Sequence, residues 1–368
     1  MKNALDAVSG TCNNCGLCVK QCEFLTRFGT PKRIADAFDP ANKKAFDVAF
    51  ACSLCGFCTA VCSQGTDPDA LFLAMRRAAV AGGTGDYSAH RRLIRYEARG
   101  CSPRYSWYGF PKGCDTVFFP GCTLSGTRPG QTLSVFRHLQ KEIPSLGIVL
   151  DCCIKPSHDL GRVSFFETVF GTLKEHLLAS GVEKIITACP SCHKVFKTYG
   201  SPLRVESAYE ILAVSEHLRP PRFEKKITVH DPCTVRLETG QHRSVRRLAA
   251  LTGAKLSEMP RSGRLTLCCG EGGGVGHLLP DLSKVWARAR CAQAAARHVI
   301  TYCAGCCGVL STATPTFHIL DILFDVDAGR PFKMKASRPP MTYLNRLRLK
   351  YYLKRTLPVV TSGTRPYL

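Results

Sequence analysis

The amino-acid sequence predicts a mixed fold: a small α-helical domain followed by two pseudo-repeated α/β domains, each built on a parallel sheet. Three observations carry this prediction. Two runs of four cysteines, Cys12 to Cys22 and Cys52 to Cys62, open the chain, with helix-like sequence between and after them. A five-cysteine pattern then occurs twice. It reads Cys122, Cys152-Cys153 and Cys189-Pro-Ser-Cys192, and then Cys233, Cys268-Cys269 and Cys303-Ala-Gly-Cys306. Within the repeated part, short apolar runs alternate with helix-like sequence, the signature of βαβ units.

The first run is Cys12-x-x-Cys15-x-x-Cys18-x-x-x-Cys22 and the second Cys52-x-x-Cys55-x-x-Cys58-x-x-x-Cys62. Thiolates at i, i+3 and i+6 wrap one corner of an iron–sulfur cubane, and the fourth cysteine of such a run ligates the other cluster. The expected ligand sets are Cys12, Cys15, Cys18 and Cys62 for one 4Fe–4S cubane, and Cys52, Cys55, Cys58 and Cys22 for a second. Zinc would call for two Cys-x-x-Cys knuckles across a loop, which these runs are not. The proline common after the fourth cysteine is replaced by Glu23 and Ser63, which removes no ligand. Pro31 to Phe38 reads as a helix. Asp67-Pro68 is an N-cap followed by an N1 proline, and Leu71, Phe72, Met75 and Ala79 share one face of the helix that it starts. This stretch, 1–81, resembles the helical ferredoxin domain found in fumarate reductase iron–sulfur proteins and in the C subunit of heterodisulfide reductase.

Residues 82–113 are rich in glycine, aromatics and arginine (His90, Arg91, Arg92, Arg95, Arg99), and read as a connector with one short helix. Cys101 and Cys114 fit neither pattern and are expected to be bystanders. The repeated domains follow, at 114–222 and 223–330. Their apolar runs are Thr116–Phe119, Leu146–Leu150 and Lys184–Ala188, then Ile227–His230, Leu265–Leu267 and His298–Tyr302. Each ends at a cysteine motif. Strands that end there put their thiols at the carboxyl edge of the sheet, where α/β folds bind ligands. Five thiols exceed what a cubane or a tetrahedral zinc can use. The surplus implies either a cluster with a bridging thiolate or a four-thiolate site with one spare reactive cysteine.

The single Cys, Cys-Cys-Gly and Cys-x-x-Cys elements are similar to the cysteine-rich CCG domain of the heterodisulfide reductase B subunit. The chain as a whole, from Cys12 to about Asp325, resembles the D subunit of heterodisulfide reductase. The same architecture occurs in iron–sulfur subunits of glycerol-3-phosphate and glycolate dehydrogenases. The resemblance implies a noncubane 4Fe–4S cluster in each module and cleavage of a disulfide in one-electron steps. It assigns Cys122, Cys152, Cys153, Cys189 and Cys192 to one such cluster, and Cys233, Cys268, Cys269, Cys303 and Cys306 to the other. One departure stands out: Ile154 takes the place of the glycine after the first pair, whereas Gly270 keeps it after the second. Glycine suits close backbone approach or positive φ. The first module is therefore the doubtful one, with zinc or an inert cluster as options. Sulfur chemistry is expected at Cys268, Cys269, Cys303 and Cys306. The Gly270 to Gly276 run misses the GxGxxG register and reads as a tight loop over the cluster, not a dinucleotide site. His193, His230 and His277 lie beside ligand positions and are candidate proton donors, His230 and His277 before His193. Cys291 reads as core, and Cys307 adjoins the last ligand.

Composition frames these readings. The 368 residues, 45% hydrophobic and 21% charged, are those of a globular protein, with no stretch of eighteen apolar residues. The N-terminus lacks an apolar signal core, so the expected location is the cytoplasm, where 22 cysteines point to metal or redox chemistry and not to disulfides. The net charge of +22 calls for an anionic partner. No helix-turn-helix, RNA-binding or zinc-finger pattern is present, so nucleic acid is not expected. From 331 to 368 the chain carries nine Lys or Arg and no acid. Arg346, Lys350 and Lys354 form one helical stripe, and Leu344, Leu347 and Tyr351 another. That tail is expected to dock on anionic lipid on the inner face of the membrane, or on a membrane subunit. The expected activity is that of an iron–sulfur oxidoreductase subunit working on a thiol–disulfide couple. The alternative is an electron-transfer module serving a flavoprotein or a cytochrome b-type, quinone-reactive partner.

Overall fold

The computed structural model describes residues 1–85, 87–324 and 336–365, so 325–335 of the expected second domain and tail, and 366–368, lie outside it. The N-terminal part is helical. Asp67 caps the Pro68–Ala81 helix by accepting from the Ala70 amide at 3.2 Å, and Leu71, Phe72, Met75 and Ala79 are fully buried on its inner face. The Pro31–Asp36 helix starts under a Thr30 cap and ends two residues short of Phe38.

Two sheets follow. The first contains β1 (Trp107–Phe110), β2 (Thr116–Phe119), β3 (Gly147–Leu150), β4 (Lys184–Thr187) and β5 (Arg204–Ser207). The second contains β6 (Lys226–His230), β7 (Lys255–Ser257), β8 (His298–Thr301) and β9 (Thr316–His318). A last strand, β10 (Thr361–Gly363), returns to the first sheet, giving the order β10-β1-β3-β2-β4-β5 against β7-β6-β8-β9. The blocks β3-β2-β4-β5 and β7-β6-β8-β9 are parallel throughout and carry the same order, so the cysteine repeat is a repeat of fold. In both, the chain winds first to one side and then to the other. The order therefore reverses between β2 and β4, and between β6 and β8, where doubly wound sheets open a ligand crevice.

Three expectations are corrected here. The connector does not stop outside the sheet: β1 pairs antiparallel with β3 and with β10. The run Leu265–Leu267 is not a strand. The strand at that point of the repeat is β7, two of whose three residues are exposed, and a loop through Pro260 and Gly263 separates it from Cys268. Its weak apolar signal hid it. The basic stripe expected to dock on anionic lipid is mostly not on the surface either. The Met341–Thr356 helix packs on the Cys122–Thr127 helix with Arg346 and Lys350 of its charged stripe inward and Lys354 exposed. Arg346 and Lys350 are buried, donating to the carbonyls of Gly100, Pro103 and Arg104. Those carbonyls lie at and just past the C-terminus of the Arg91–Cys101 helix, where the helix dipole attracts cations. Leu344 and Tyr351 face outward instead.

The domains are clamped together by buried arginines. Arg76, from the N-terminal domain and 0% exposed, donates to the carbonyls of Ala49, Phe50 and Cys52 in its own domain, of Asp159 in the first repeat (2.7 Å), and of Gly273 in the second (2.9 Å). Arg236, from the second repeat, grips the Cys55 carbonyl at 2.9 Å and the Thr266 carbonyl at 3.0 Å.

Candidate iron–sulfur and thiol site

Cys12, Cys15, Cys18 and Cys62 line one cavity of about 20 Å³, together with Gly16, Pro31 and Cys58. Asn14 and Gly16 take positive φ there (60° and 74°), which winds the loop around the cavity. Cys22 lies against Cys55, and burial followed by that neighbour pushes its thiol up to about 12. Cys58 is raised by burial and then by Cys52 and Cys55. Cys18 is raised to about 11 by burial and then by Cys12. Thiols this crowded and dry do not ionise together without a cation between them, whereas a bound metal core requires thiolates. The donor set therefore fits iron–sulfur clusters.

The five thiols of the first module and four of the second face each other across a single cavity of about 470 Å³. Cys122, Cys152, Cys153, Cys189 and Cys192 form one wall, and Cys233, Cys269, Cys303 and Cys306 the other. Cys122 follows β2 and Cys189 follows β4, so both flank the point where the strand order reverses, as Cys233 and Cys303 do beside β6 and β8. Hydrogen bonding to Cys192 brings the Cys189 thiol down to about 7, and hydrogen bonds from Cys268 and then Cys306 bring Cys269 to about 6. The Cys269 and Cys306 sulfurs are 3.1 Å apart. A His230 ring nitrogen completes a buried group with them, all within 4.8 Å. Cys268 turns away from the cavity to the N-terminal domain, where its thiol is hydrogen-bonded to that of Cys55.

Ile154 adopts φ 60° and ψ 19°, the left-handed conformation that Gly270 supplies in the second module (φ 94°). A β-branched residue held there is strained by roughly 1–3 kcal/mol. The first module thus keeps the turn after its cysteine pair without the glycine. At Gly270 no such exchange is open, because a Cβ would stand 2.5 Å from the Ser283 carbonyl. The following glycines serve the domain contact as well as the cavity. A Cβ at Gly272 or Gly273 would strike the carbonyls of Ser53 and Cys52 at 2.4 and 2.6 Å.

Among the histidines, His277 lines the cavity and His193 is held by Thr187 at 3.0 Å, with Glu238 nearby. Cys101, expected to be a bystander, is hydrogen-bonded to Cys152, whereas Cys114 bonds the Thr116 carbonyl. Cys291 is half-buried, and Cys307 bonds Arg128 and lies outside the cavity lining. Sequence reasoning missed Lys155, which lines the cavity paired with Asp159. It also missed Arg76, although Arg76 stands on the apolar stripe between Phe72 and Ala79, where a charge needs partners.

Comparison with known proteins agrees with this architecture. Residues 11–67 match the 4Fe-4S dicluster domain, and residues 116–197 and 227–311 each match the cysteine-rich domain. The chain is 27% identical over 282 residues to the D subunit of the dihydromethanophenazine:CoB–CoM heterodisulfide reductase of Methanosarcina barkeri, covering 68% of this chain and 69% of that protein. It is 25% identical over 342 residues to the D subunit of the same reductase from Methanosarcina mazei, covering 78% and 83%. To the B subunit of the fumarate reductase (CoM/CoB) of Methanothermobacter marburgensis it is 26% identical over 305 residues, covering 74% and 61%. The fold and its thiol site thus define an iron–sulfur subunit of the electron-transfer or disulfide-reductase-like class, one that binds iron–sulfur clusters and works with redox partner subunits. Within that class, the chain resembles the heterodisulfide reductase D subunit. Among the described residues, no helix is long and apolar enough to cross a membrane.

Proposed function

We infer that this chain reduces or forms a disulfide in the cavity between its two cysteine-rich modules. The observation that carries the reading is that both modules turn their thiols onto one shared space of about 470 Å³. Reduction consumes one disulfide, two electrons and two protons and yields two thiols; oxidation is the reverse. Clusters bound by the two modules supply one-electron chemistry on opposite walls, so each wall serves one sulfur.

The ligand sets are those given by spacing in the N-terminal domain, and by the resemblance in the modules. Cys269, Cys303 and Cys306 are the second wall's share of the chemistry, while Cys268, expected with them, faces Cys55 instead. The kept turn at Ile154 supports a cluster in the first module over zinc. Lys155, held by Asp159 and close to Cys189, Cys233 and Glu271, places a cation where a thiolate product or an anionic disulfide would sit. The Cys55–Cys268 contact joins the second cubane group to the second module, which makes that module the first to exchange electrons with the N-terminal domain. Cys15 and Leu17 are exposed beside the first cubane group and offer the docking point for a flavoprotein or a quinone-reactive membrane partner. The outward Leu344 and Tyr351, flanked by exposed Arg348, Lys354 and Arg355, suit peripheral contact with an anionic membrane face.

Thiol release tests this reading. Anaerobically reduced protein mixed with a small anionic disulfide is expected to release two thiols per disulfide consumed. Loss of the protein's reducing equivalents without thiol release, or no reaction while a flavoprotein acceptor is reduced, makes the chain an electron carrier without a substrate of its own.

A further inference from the structure

The two modules present the same five thiols, yet the groups behind those thiols differ. In the second module, His230 ends β6 three residues before Cys233 and is fully buried. Arg290, 1% exposed, donates from Nε to His230 Nδ1 at 3.0 Å. A guanidinium in a protein is always a donor, so Nδ1 is the acceptor and the hydrogen of the neutral ring sits on Nε2. Nε2 is buried and has no hydrogen-bond partner among the described residues. The ring lies within 4.8 Å of the Cys269 and Cys306 sulfurs, and the Arg290 charge bears on the same two thiols. Asp231, the nearby carboxylate, is engaged by Arg246 at 2.8 and 2.9 Å and by the Gly263 amide at 2.7 Å.

In the first module, Phe119 ends β2 three residues before Cys122. It is fully buried, its ring edge-on to Phe196 at 5.0 Å, in an apolar cluster that also holds Phe166, Cys153 and Cys192. Phenylalanine donates no hydrogen bond. The place that His230 holds in the second module is thus taken by a benzene ring in the first, where the polar groups bearing on the thiols are Arg346 and Tyr96 at Cys122 and Lys155 at Cys189.

Hydrogen bonds to cluster sulfurs and nearby charge set iron–sulfur potentials, because the reduced form carries the extra negative charge. We propose that the buried His230–Arg290 pair is a tuning device that raises the reduction potential of the second module. This rests on the reading that both modules hold clusters. The pair does not touch substrate; the His230 ring lies beside the ligand sulfurs, where Nε2 is free to donate to a bound cluster, and Arg290 fixes the ring. Electrons arriving from the Cys55 side are then held more tightly on the second module than they would be without the pair.

The test is a redox titration of the whole cluster-loaded protein, followed by electron paramagnetic resonance. The second module's signal is identified by its loss in Cys306→Ala. In His230→Phe, which copies the first module, the second module's reduction equilibrium is expected to fall at least tenfold, 59 mV for a one-electron couple. The cubane and first-module potentials stay in place. His230→Gln, which keeps an N–H at the same reach, restores most of the shift, and Phe119→His moves the first module upward. An unchanged second-module potential in a fully loaded His230→Phe protein, or an equal shift at every centre, overturns the proposal. Iron analysis of the unmodified protein separates that result from failure of the underlying reading, in which the second module carries no iron signal at all.

Discussion

Replacing Arg76 by methionine removes the group that ties all three domains together. Its guanidinium serves five carbonyls, and two of the bonds, to Asp159 at 2.7 Å and to Gly273 at 2.9 Å, cross between domains. Hydrogen bonds to a charged group are worth about 1.5–3 kcal/mol each. Counting only the two that cross domains, at the low end of that range, gives about 3 kcal/mol. The three carbonyls within the N-terminal domain can relax toward one another or toward water, so they are left out. At a urea slope of roughly 3 kcal/mol per molar, the midpoint falls by about 1 M. Urea unfolding of the cluster-loaded protein reads this through Trp107 in the first repeat and Trp286 in the second. The variant is also expected to lose electron flow from the N-terminal domain to the modules, because the Cys52 carbonyl is one of the five. An unchanged midpoint in both Arg76→Met and Arg76→Lys would refute the clamp.

Gly270→Ala meets both a positive φ and the Ser283 carbonyl, and is expected to destabilise the second repeat by more than about 2 kcal/mol, whereas Ile154→Gly relieves backbone strain but empties a fully buried core position, and its net thermal destabilisation is expected to be smaller than the roughly 2–5 kcal/mol of an unstrained core truncation. Glu97, buried and accepting from the Ser157 amide at 2.9 Å, has its carboxyl pushed up by burial to about 7. A raised carboxyl favours folding while protonated, so its contribution is present below about 4.5 and lost as pH rises through 7. Glu97→Gln should therefore gain on the parent by up to about 3 kcal/mol between pH 5 and pH 8, measured by urea titration at each pH. Stripping the clusters with a chelator should unfold the N-terminal domain first, seen as loss of helical circular dichroism and rapid proteolysis before Cys62, because its small core leans on buried thiols.

What the sequence made legible was what repeats locally. Cysteine spacing reports which thiols lie on one turn, and apolar runs that end at those cysteines report a strand edge. The Asp67–Pro68 cap and the Leu71, Phe72, Met75 and Ala79 stripe are likewise properties of adjacent residues. What escaped depends on distant partners. The stripe of Arg346 and Lys350 has the periodicity of an exposed face, and only the carbonyls past the Arg91–Cys101 helix make burial favourable. Strand β7 is half exposed and gives no apolar run, while β1 and β10 are recognisable only as partners of β3 and of each other. Ile154 looked disabling by residue type, yet its backbone holds the glycine conformation. That both modules open onto one cavity follows from the docking of two sheets, which no spacing encodes.

The central claim is that both modules act on one sulfur–sulfur bond in that cavity, and paramagnetic resonance of the oxidised, cluster-loaded protein with an added thiol tests it most directly. A thiol-dependent paramagnetic species, absent without thiol and lost in both Cys192→Ala and Cys306→Ala while the cubane signals persist, is the predicted result. Cubane signals alone, unchanged by thiol, would contradict it.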